Sequence, residues 1–295
     1  MPIEFIDRAS GTKITESVMG DGALRFAYET LLGRTLWPVL FGSKFVSSIL
    51  GLYYDSHLSK KAISSLASIP GCMADEAEKA VGEYGSFNEF FTRRLKKGAR
   101  PLGNGFTSPA DGRLMLYLNV ALNDAFPIKG ATRSLREILS PGESMTDDGR
   151  FDVAVVRLAP VDYHRFHFPC DCSLVYAKRI PGRYHSVSPI ALAKRPDVYA
   201  INERLVTSYR AAFGEYWTVD VGAFGVGTIV ETYEAESFKK GEERGYFKFG
   251  GSTVVIVTPE DALEFDSDLV ENSSNGLETR ILCGEKIATP KTIGG

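Results

Sequence analysis

The chain has 295 residues, 44% hydrophobic and 24% charged, enough for one large folded domain or for a core with an extension, and no repeat or low-complexity run interrupts it. Its formal net charge of -3 gives no global attraction to nucleic acid or to an anionic membrane, so nucleic acid is not an expected partner and any lipid contact must be local. Cys72, Cys170, Cys172 and Cys283 include only a C-x-C pair, which is neither a zinc nor a redox spacing, and they read as free thiols in a reducing compartment.

Residues 1–21 contain Glu4, Asp7, Glu16 and Asp21 and lack an apolar centre, so no signal or transit peptide is expected. Ile3 to Thr15 reads as a hairpin turning at Ser10-Gly11. From Asp21 to about Leu95 the apolar residues recur at helical spacing: Phe26, Leu31, Leu32, Leu36, Val39, Leu40, then Phe45, Val46, Ile49, Leu50 and Tyr53. Thr35 to Tyr54 is too interrupted, by Pro38, Gly42 and Lys44, to be a good membrane span. Asp75 to Val81 reads as a short helix, and Ser86 suits the N-cap of a helix from Phe87 to Leu95, with Glu89 at its third position. Gly98 and Pro101 end this region.

Beyond Pro101 short apolar runs alternate with Gly, Pro, Asp and Asn. Leu114–Tyr117, Val153–Leu158, Leu174–Ala177, Tyr216–Val221, Thr228–Thr232, Val254–Val257 and Leu277–Leu282 all read as strands. The expected fold is α+β: a helical N-terminal region, residues 1–100, attached to a mainly antiparallel β sandwich or barrel, residues 101–295, carrying the catalytic core.

The chemistry gathers at a few residues. Gly250-Gly251 delivers Ser252 to the mouth of the apolar run Val254-Val255-Ile256-Val257. Glycines leave the preceding carbonyl open to attack, and a hydroxyl held against it can undergo an N-to-O acyl shift if a base activates it. An isolated serine after two glycines is otherwise only a turn. Two of the four histidines, His164 and His167, lie between Pro160 and Pro169, which disfavour a regular helix, so their rings are expected to have different neighbours. Their bland reading is a pair of hydrogen-bonded structural histidines. Asp111, in Ser108-Pro-Ala-Asp-Gly112, is either a hairpin-turn residue or the acid that holds an imidazole in one tautomer.

Taken together, these segments closely resemble the phosphatidylserine decarboxylases. The resemblance rests on Phe87-Asn-Glu-Phe-Phe-Thr-Arg-Arg-Leu95, Gly98-Ala-Arg-Pro101, Ser108-Pro-Ala-Asp-Gly112, Arg157-Leu-Ala-Pro-Val-Asp-Tyr-His-Arg-Phe-His167, Asn202-Glu-Arg204, Val221-Gly-Ala-Phe-Gly-Val-Gly-Thr-Ile229 and Lys240 to Val254 with its Gly-Gly-Ser-Thr, in that order. It implies a proenzyme that cuts itself between Gly251 and Ser252, leaving a β chain of residues 1–251 and an α chain of residues 252–295 that stay associated. It implies a covalent pyruvoyl group made from Ser252 as cofactor, no metal, a self-cleavage triad of Asp111, His167 and Ser252, and a part for His164 in decarboxylation. The substrate implied is phosphatidylserine in a membrane. Its amine would form a Schiff base with the pyruvoyl group, and phosphatidylethanolamine and carbon dioxide would be the products. The family suggests a homodimer and a peripheral place on the cytoplasmic face of the cell membrane, within phospholipid biosynthesis.

One departure stands out. The family often has Leu-Phe-Ser-Val-Asn where this chain has Tyr184-His185-Ser186-Val187-Ser188, so the resemblance gives His185 no catalytic role, although it can still line the site. For membrane contact, Phe26–Tyr54 is the better segment, whereas Phe87, Phe90 and Phe91 are expected to pack inward despite the nearby Arg93, Arg94, Lys96, Lys97 and Arg100. Two rivals remain: a serine hydrolase with an ordinary Asp111/His167/Ser252 triad, whose chain would stay whole, and an inactive β-barrel binding module.

Overall fold

The computed structural model describes residues 3–16, 22, 26, 28–30, 32–33, 44–125, 132–139, 149–225 and 228–291. Two valine-rich strands, Arg150–Leu158 and Gly250–Pro259, lie side by side at the centre, in antiparallel register from Ser252 opposite Leu158 to Pro259 opposite Phe151. Successive side chains of a strand point to opposite faces. Ala154, Val156, Leu158, Val254 and Ile256 therefore enter one core with Phe106, Phe166, Tyr209 and Tyr216. Val153, Val155, Val255 and Val257 enter a second core with Leu139, Trp217 and Val219 on the other face. Both faces are covered, which is why the middles of these strands, Val153–Val156 and Val254–Val257, read as unbroken apolar runs rather than as alternating ones.

Around this pair a ten-stranded sheet runs in the order Ser237–Phe238, Cys172–Ile180, Arg204–Ala211, Gly214–Gly225, Gly250–Pro259, Arg150–Leu158, Gly112–Ala121, Glu278–Ile281, Glu4–Asp7, Thr12–Thr15. Every pairing is antiparallel except that of Glu4–Asp7 with Glu278–Ile281. Two three-stranded sheets complete the described β structure; one contains Arg165–His167 and Glu243–Phe247. The fold is thus mixed, with a large, mostly antiparallel sheet and few helices. The expected barrel is not closed: the ten strands end at Ser237–Phe238 on one side and at Thr12–Thr15, with all four residues exposed, on the other. Alternation along a strand reports which faces are buried. It says nothing about whether the first and last strands meet.

The N-terminal hairpin forms as expected, with Gly11 in the turn at φ 66°. Helices follow at Lys44–Asp55, Lys61–Ala67 and Phe87–Phe91, whereas the expected Phe26–Leu40 helix falls mostly outside the described residues. The Asp75–Val81 segment is resolved as single 3-10 turns at Ala74–Glu76 and Val81–Glu83. Ser86 does cap the third helix, its hydroxyl accepting from the Glu89 amide at 3.2 Å. That helix stops at Phe91, short of Leu95, and the Arg93 side chain turns inward to donate to the carbonyls of Cys72 and Val161. Phe87, Phe90 and Phe91 are all buried, as their spacing suggested. Tyr54, at the end of the first helix, packs on Phe249 and Phe87 with ring centroids 4.4 and 5.2 Å away. The outer side of this region leaves Ile49, Leu52, Tyr53 and Leu58 exposed, Leu52 at 73% and Leu58 at 77%.

Candidate active site

Ser252 sits in the central strand immediately after a break in register between Gly250 and Ser252. Its neighbour on one side is Leu158 and on the other Gly222. Gly222 donates its N–H to the Glu203 carbonyl at 3.0 Å, and its own carbonyl accepts from the Asn202 amide at 2.8 Å. Both of its backbone groups therefore turn away from Ser252, which makes theirs the narrow kind of antiparallel pair, with Cα atoms about 4.5 Å apart. The Ser252 hydroxyl is buried and has no hydrogen-bond partner. A hydroxyl left so costs about 1–3 kcal/mol, a cost that sites of chemistry tolerate more readily than a passive core does.

His164 is also fully buried, and its ring lies 3.8 Å from that of Phe91, centroid to centroid. Nδ1 is 2.9 Å from the Asp162 carbonyl, which can only accept, so the proton is on Nδ1 and Nε2 carries a bare lone pair with no partner. Burial, outweighing the attraction of Asp162, pushes the pKa down to about 3, so the ring is neutral. Asp162 is itself held: its carboxylate accepts from the Ala159 amide at 2.7 Å and pairs with Arg113. Arg113 and Arg157 both reach Glu16, at 3.1 and 2.8 Å, so the residue that ends the N-terminal hairpin anchors the ground beneath His164.

His167 faces a different environment. Nδ1 donates to the Gly241 carbonyl and Nε2 accepts from the Tyr163 hydroxyl, each at 3.0 Å. The ring borders an open cavity of about 820 Å³ shared with Tyr163, Arg94, Arg165, Glu243 and Cys283. Burial lowers its pKa, while the Gly241 bond and the charges of Glu243 and Asp111 act the other way. Asp111 is fully buried in a two-pronged bond with Arg100, at 2.8 and 2.6 Å, and accepts the Cys283 amide at 2.8 Å. It precedes Gly112, where a Cβ would stand 2.8 Å from the Arg157 carbonyl, one strand beyond Leu158. Ser252 and Asp111 are therefore separated by two strand spacings, about 10 Å. The His167 amide donates to Pro109 at 2.8 Å, which ties that ring to the same end of the sheet.

All four residues, Asp111, His164, His167 and Ser252, thus converge on one end of the sheet, but hydrogen bonds do not link them. Both nitrogens of His167 are engaged by Tyr163 and Gly241, and Asp111 is engaged by Arg100 and Cys283. Among the described residues no group of three or more His, Cys, Asp or Glu side chains is arranged to hold a metal ion.

Comparison with known proteins gives this geometry its context. The family model for phosphatidylserine decarboxylase matches residues 87–289. The chain belongs to the phosphatidylserine decarboxylase family. It is 40% identical over 296 aligned residues to a phosphatidylserine decarboxylase proenzyme of Fusobacterium nucleatum, with 98% of each chain covered. Proteins of the same description from Clostridium novyi and Chlamydia caviae are 39% and 35% identical, covering 97% of this chain and 99% and 97% of theirs.

For this decarboxylase-family chain, residue patterns alone left several parts of the site unassigned. Arg100 and Asn202 fall within the resembling segments, but their partners, Asp111 and the backbones of His185 and Gly222, are distant in sequence or on other strands. Tyr163 adjoins His164 in sequence, yet its hydroxyl bonds to His167. His185 is 1% exposed, and neither ring nitrogen has a partner. The only sequence signal for it was its departure from the family's usual phenylalanine.

Proposed function

We propose that this protein decarboxylates phosphatidylserine to phosphatidylethanolamine, using a pyruvoyl group that it makes from Ser252 by cutting its own chain after Gly251. The observation that carries the reading is the buried, unpartnered Ser252 hydroxyl, in a central strand directly after the register break at Gly250-Gly251. A hydroxyl there has the Gly251 carbonyl as its nearest electrophile along the chain. In the cut, Oγ bonds to the Gly251 carbonyl carbon as its proton passes to a base, and the C–N bond breaks with a proton returned to nitrogen. A second proton abstraction, from Cα, expels the Gly251 carboxylate from Cβ, and water then replaces nitrogen, which leaves as ammonia.

His167 is the base in this reading, and Asp111 steadies the charge it acquires. Nε2 must first release the Tyr163 hydroxyl, so that phenol sets the resting orientation of the ring. The pyruvoyl group supplies the electron-accepting carbonyl that lets the substrate carboxylate leave as carbon dioxide. His164, neutral and with Nε2 bare in an apolar wall, can take or return a proton there without placing a permanent charge beside the leaving carboxylate. The exposed Ile49, Leu52, Tyr53 and Leu58 give the enzyme a docking face on the cytoplasmic side of the cell membrane. The first helix couples that face to the cut site, because Tyr54 packs on Phe249, three residues before Ser252.

Intact mass under denaturing conditions tests the reading. The wild-type protein is expected to give residues 1–251 and a 252–295 fragment that lacks a free amine, and Ser252→Ala to give only the full chain, inactive on phosphatidylserine. A wild-type chain that stays whole with an unmodified Ser252 would overturn the proposal and favour an ordinary hydrolase or an inactive module.

A further inference from the structure

His185 lies on the opposite side of Ser252 from Asp111, and its position is built rather than incidental. The Asn202 side chain clamps it: the His185 amide donates to Oδ1 at 3.0 Å, while Nδ2 donates to the His185 carbonyl and to the Gly222 carbonyl, each at 2.8 Å. Gly222 is the residue paired with Ser252. One amide side chain therefore joins the His185 backbone to the strand flanking the reactive serine. The loop before it is pressed onto Asn202 so closely that a Cβ on Gly182 would lie 2.3 Å from the Asn202 carbonyl carbon. The imidazole held there is 1% exposed, yet both ring nitrogens lack partners. A neutral imidazole has one N–H to donate and one lone pair, so a ligand atom can satisfy what the protein leaves open.

The surroundings indicate the charge of that ligand. Arg183, two residues before His185, is bridged to Asn202 through its backbone, and its charge and that of Arg195 add to the effect of burial in lowering the pKa of His185. Arg183 is exposed and Arg195 half-buried, and among the described residues neither guanidinium has an ion-pair or side-chain hydrogen-bond partner. A buried, unsatisfied imidazole within the electrostatic reach of two cations suits an anion.

We propose that His185, Arg183 and Arg195 form the subsite for the phosphodiester of the substrate headgroup; this rests on the decarboxylase reading. The headgroup carries two anions, and their chemistry assigns them differently. The carboxylate must lose its charge as carbon dioxide departs, and a cation beside it would stabilise the ground state and slow that loss. The phosphodiester keeps its charge throughout, so cations beside it cost nothing in the transition state. Only Cβ and the ester oxygen separate the reacting carbon from phosphorus, which requires the phosphate subsite to lie next to Ser252, where the Asn202 clamp holds His185.

The test compares two soluble substrates with fully cleaved protein: dibutyroyl phosphatidylserine below its micelle concentration, and an O-alkyl serine of equal length without phosphate. With no vesicle present, neighbouring lipids cannot supply the anion. For His185→Phe, which installs the residue common in the family, and for Arg195→Gln, kcat/KM on the phospholipid is expected to fall about tenfold or more, mostly through KM, and to fall much less on the ether. His185→Gln, which keeps an N–H, is expected to recover part of the loss. Equal losses on both substrates, or no loss on either, would overturn the subsite. Absence of wild-type turnover on the phospholipid would overturn the decarboxylase reading itself, and the subsite with it.

Discussion

Replacing His164 with Phe should make the fold less sensitive to acid. In the folded protein burial holds the His164 pKa near 3, whereas an unfolded histidine titrates at about 6.5. Between those values the unfolded chain binds a proton that the folded chain refuses, so stability is full above about pH 6.5 and declines as the pH falls toward 3. At about pH 4.5 the gap is roughly two pH units from the unfolded value, worth about 3 kcal/mol at ~1.4 kcal/mol per unit. The measurement is urea unfolding near neutrality and near pH 4.5, in a Ser252→Ala background so that a single chain unfolds. Buried carboxylates contribute to acid sensitivity in both proteins, so the difference between the two pH-dependent losses isolates His164. His164→Phe is expected to lose about 2–3 kcal/mol less on acidification than its parent. Equal losses would mean that His164 takes up a proton in the folded state, and the neutral, Nδ1-protonated ring described here would be wrong.

Two further outcomes follow from the geometry. Arg100→Met removes both prongs from Asp111, whose side chain is 0% exposed, and leaves a buried carboxylate with only the Cys283 amide; unfolding free energy in the Ser252→Ala background should drop by about 3–5 kcal/mol, and a loss below about 1 kcal/mol would show that water reaches Asp111. Leu52→Gln with Leu58→Gln should weaken sedimentation with anionic vesicles by at least about tenfold while self-cleavage continues, because each exposed leucine can contribute on the order of 1.5–3 kcal/mol when buried in lipid; unchanged vesicle binding would move the docking face elsewhere.

The strands were legible because burial imposes a pattern on them. Val153–Val156 and Val254–Val257 are apolar at every position, for the physical reason that separate cores cover the two faces. Ser86 was legible as a cap because the cap bond spans only three residues. What sequence could not supply was pairing at a distance. Glu4–Asp7 runs parallel to a strand more than 270 positions away, and no local pattern fixes that neighbour or shows that the sheet stays open. Within the site, Ser252, His164, His167 and Asp111 stand out by residue type, whereas the groups that hold them do not. Arg100 looks like one of several surface cations, and Asn202 like a loop amide, until their bonds to Asp111 and Gly222 are seen. The Phe87 helix ended early because the inward turn of Arg93 depends on the carbonyls of Cys72 and Val161, which belong to other segments.

Glu278–Ile281, almost the last strand of the chain, is inserted between Gly112–Ala121 and Glu4–Asp7, and the strand that begins at the cut site lies between two strands of the longer fragment. The strands flanking Ser252 precede it in the chain, but Asp111 gains the neighbouring strand of Gly112 and the Cys283 amide only once Glu278–Cys283 has folded into place. Under the self-cleavage reading, the cut is a receipt for completed folding: a molecule in which Glu278–Cys283 is missing or misplaced would lack the support around Asp111 and would not arm itself. The same interleaving means that the short fragment has no separate existence to return to, since its strands are spread through the sheets of its partner. Processing would then be a one-way step that ends with two chains and a single indivisible body.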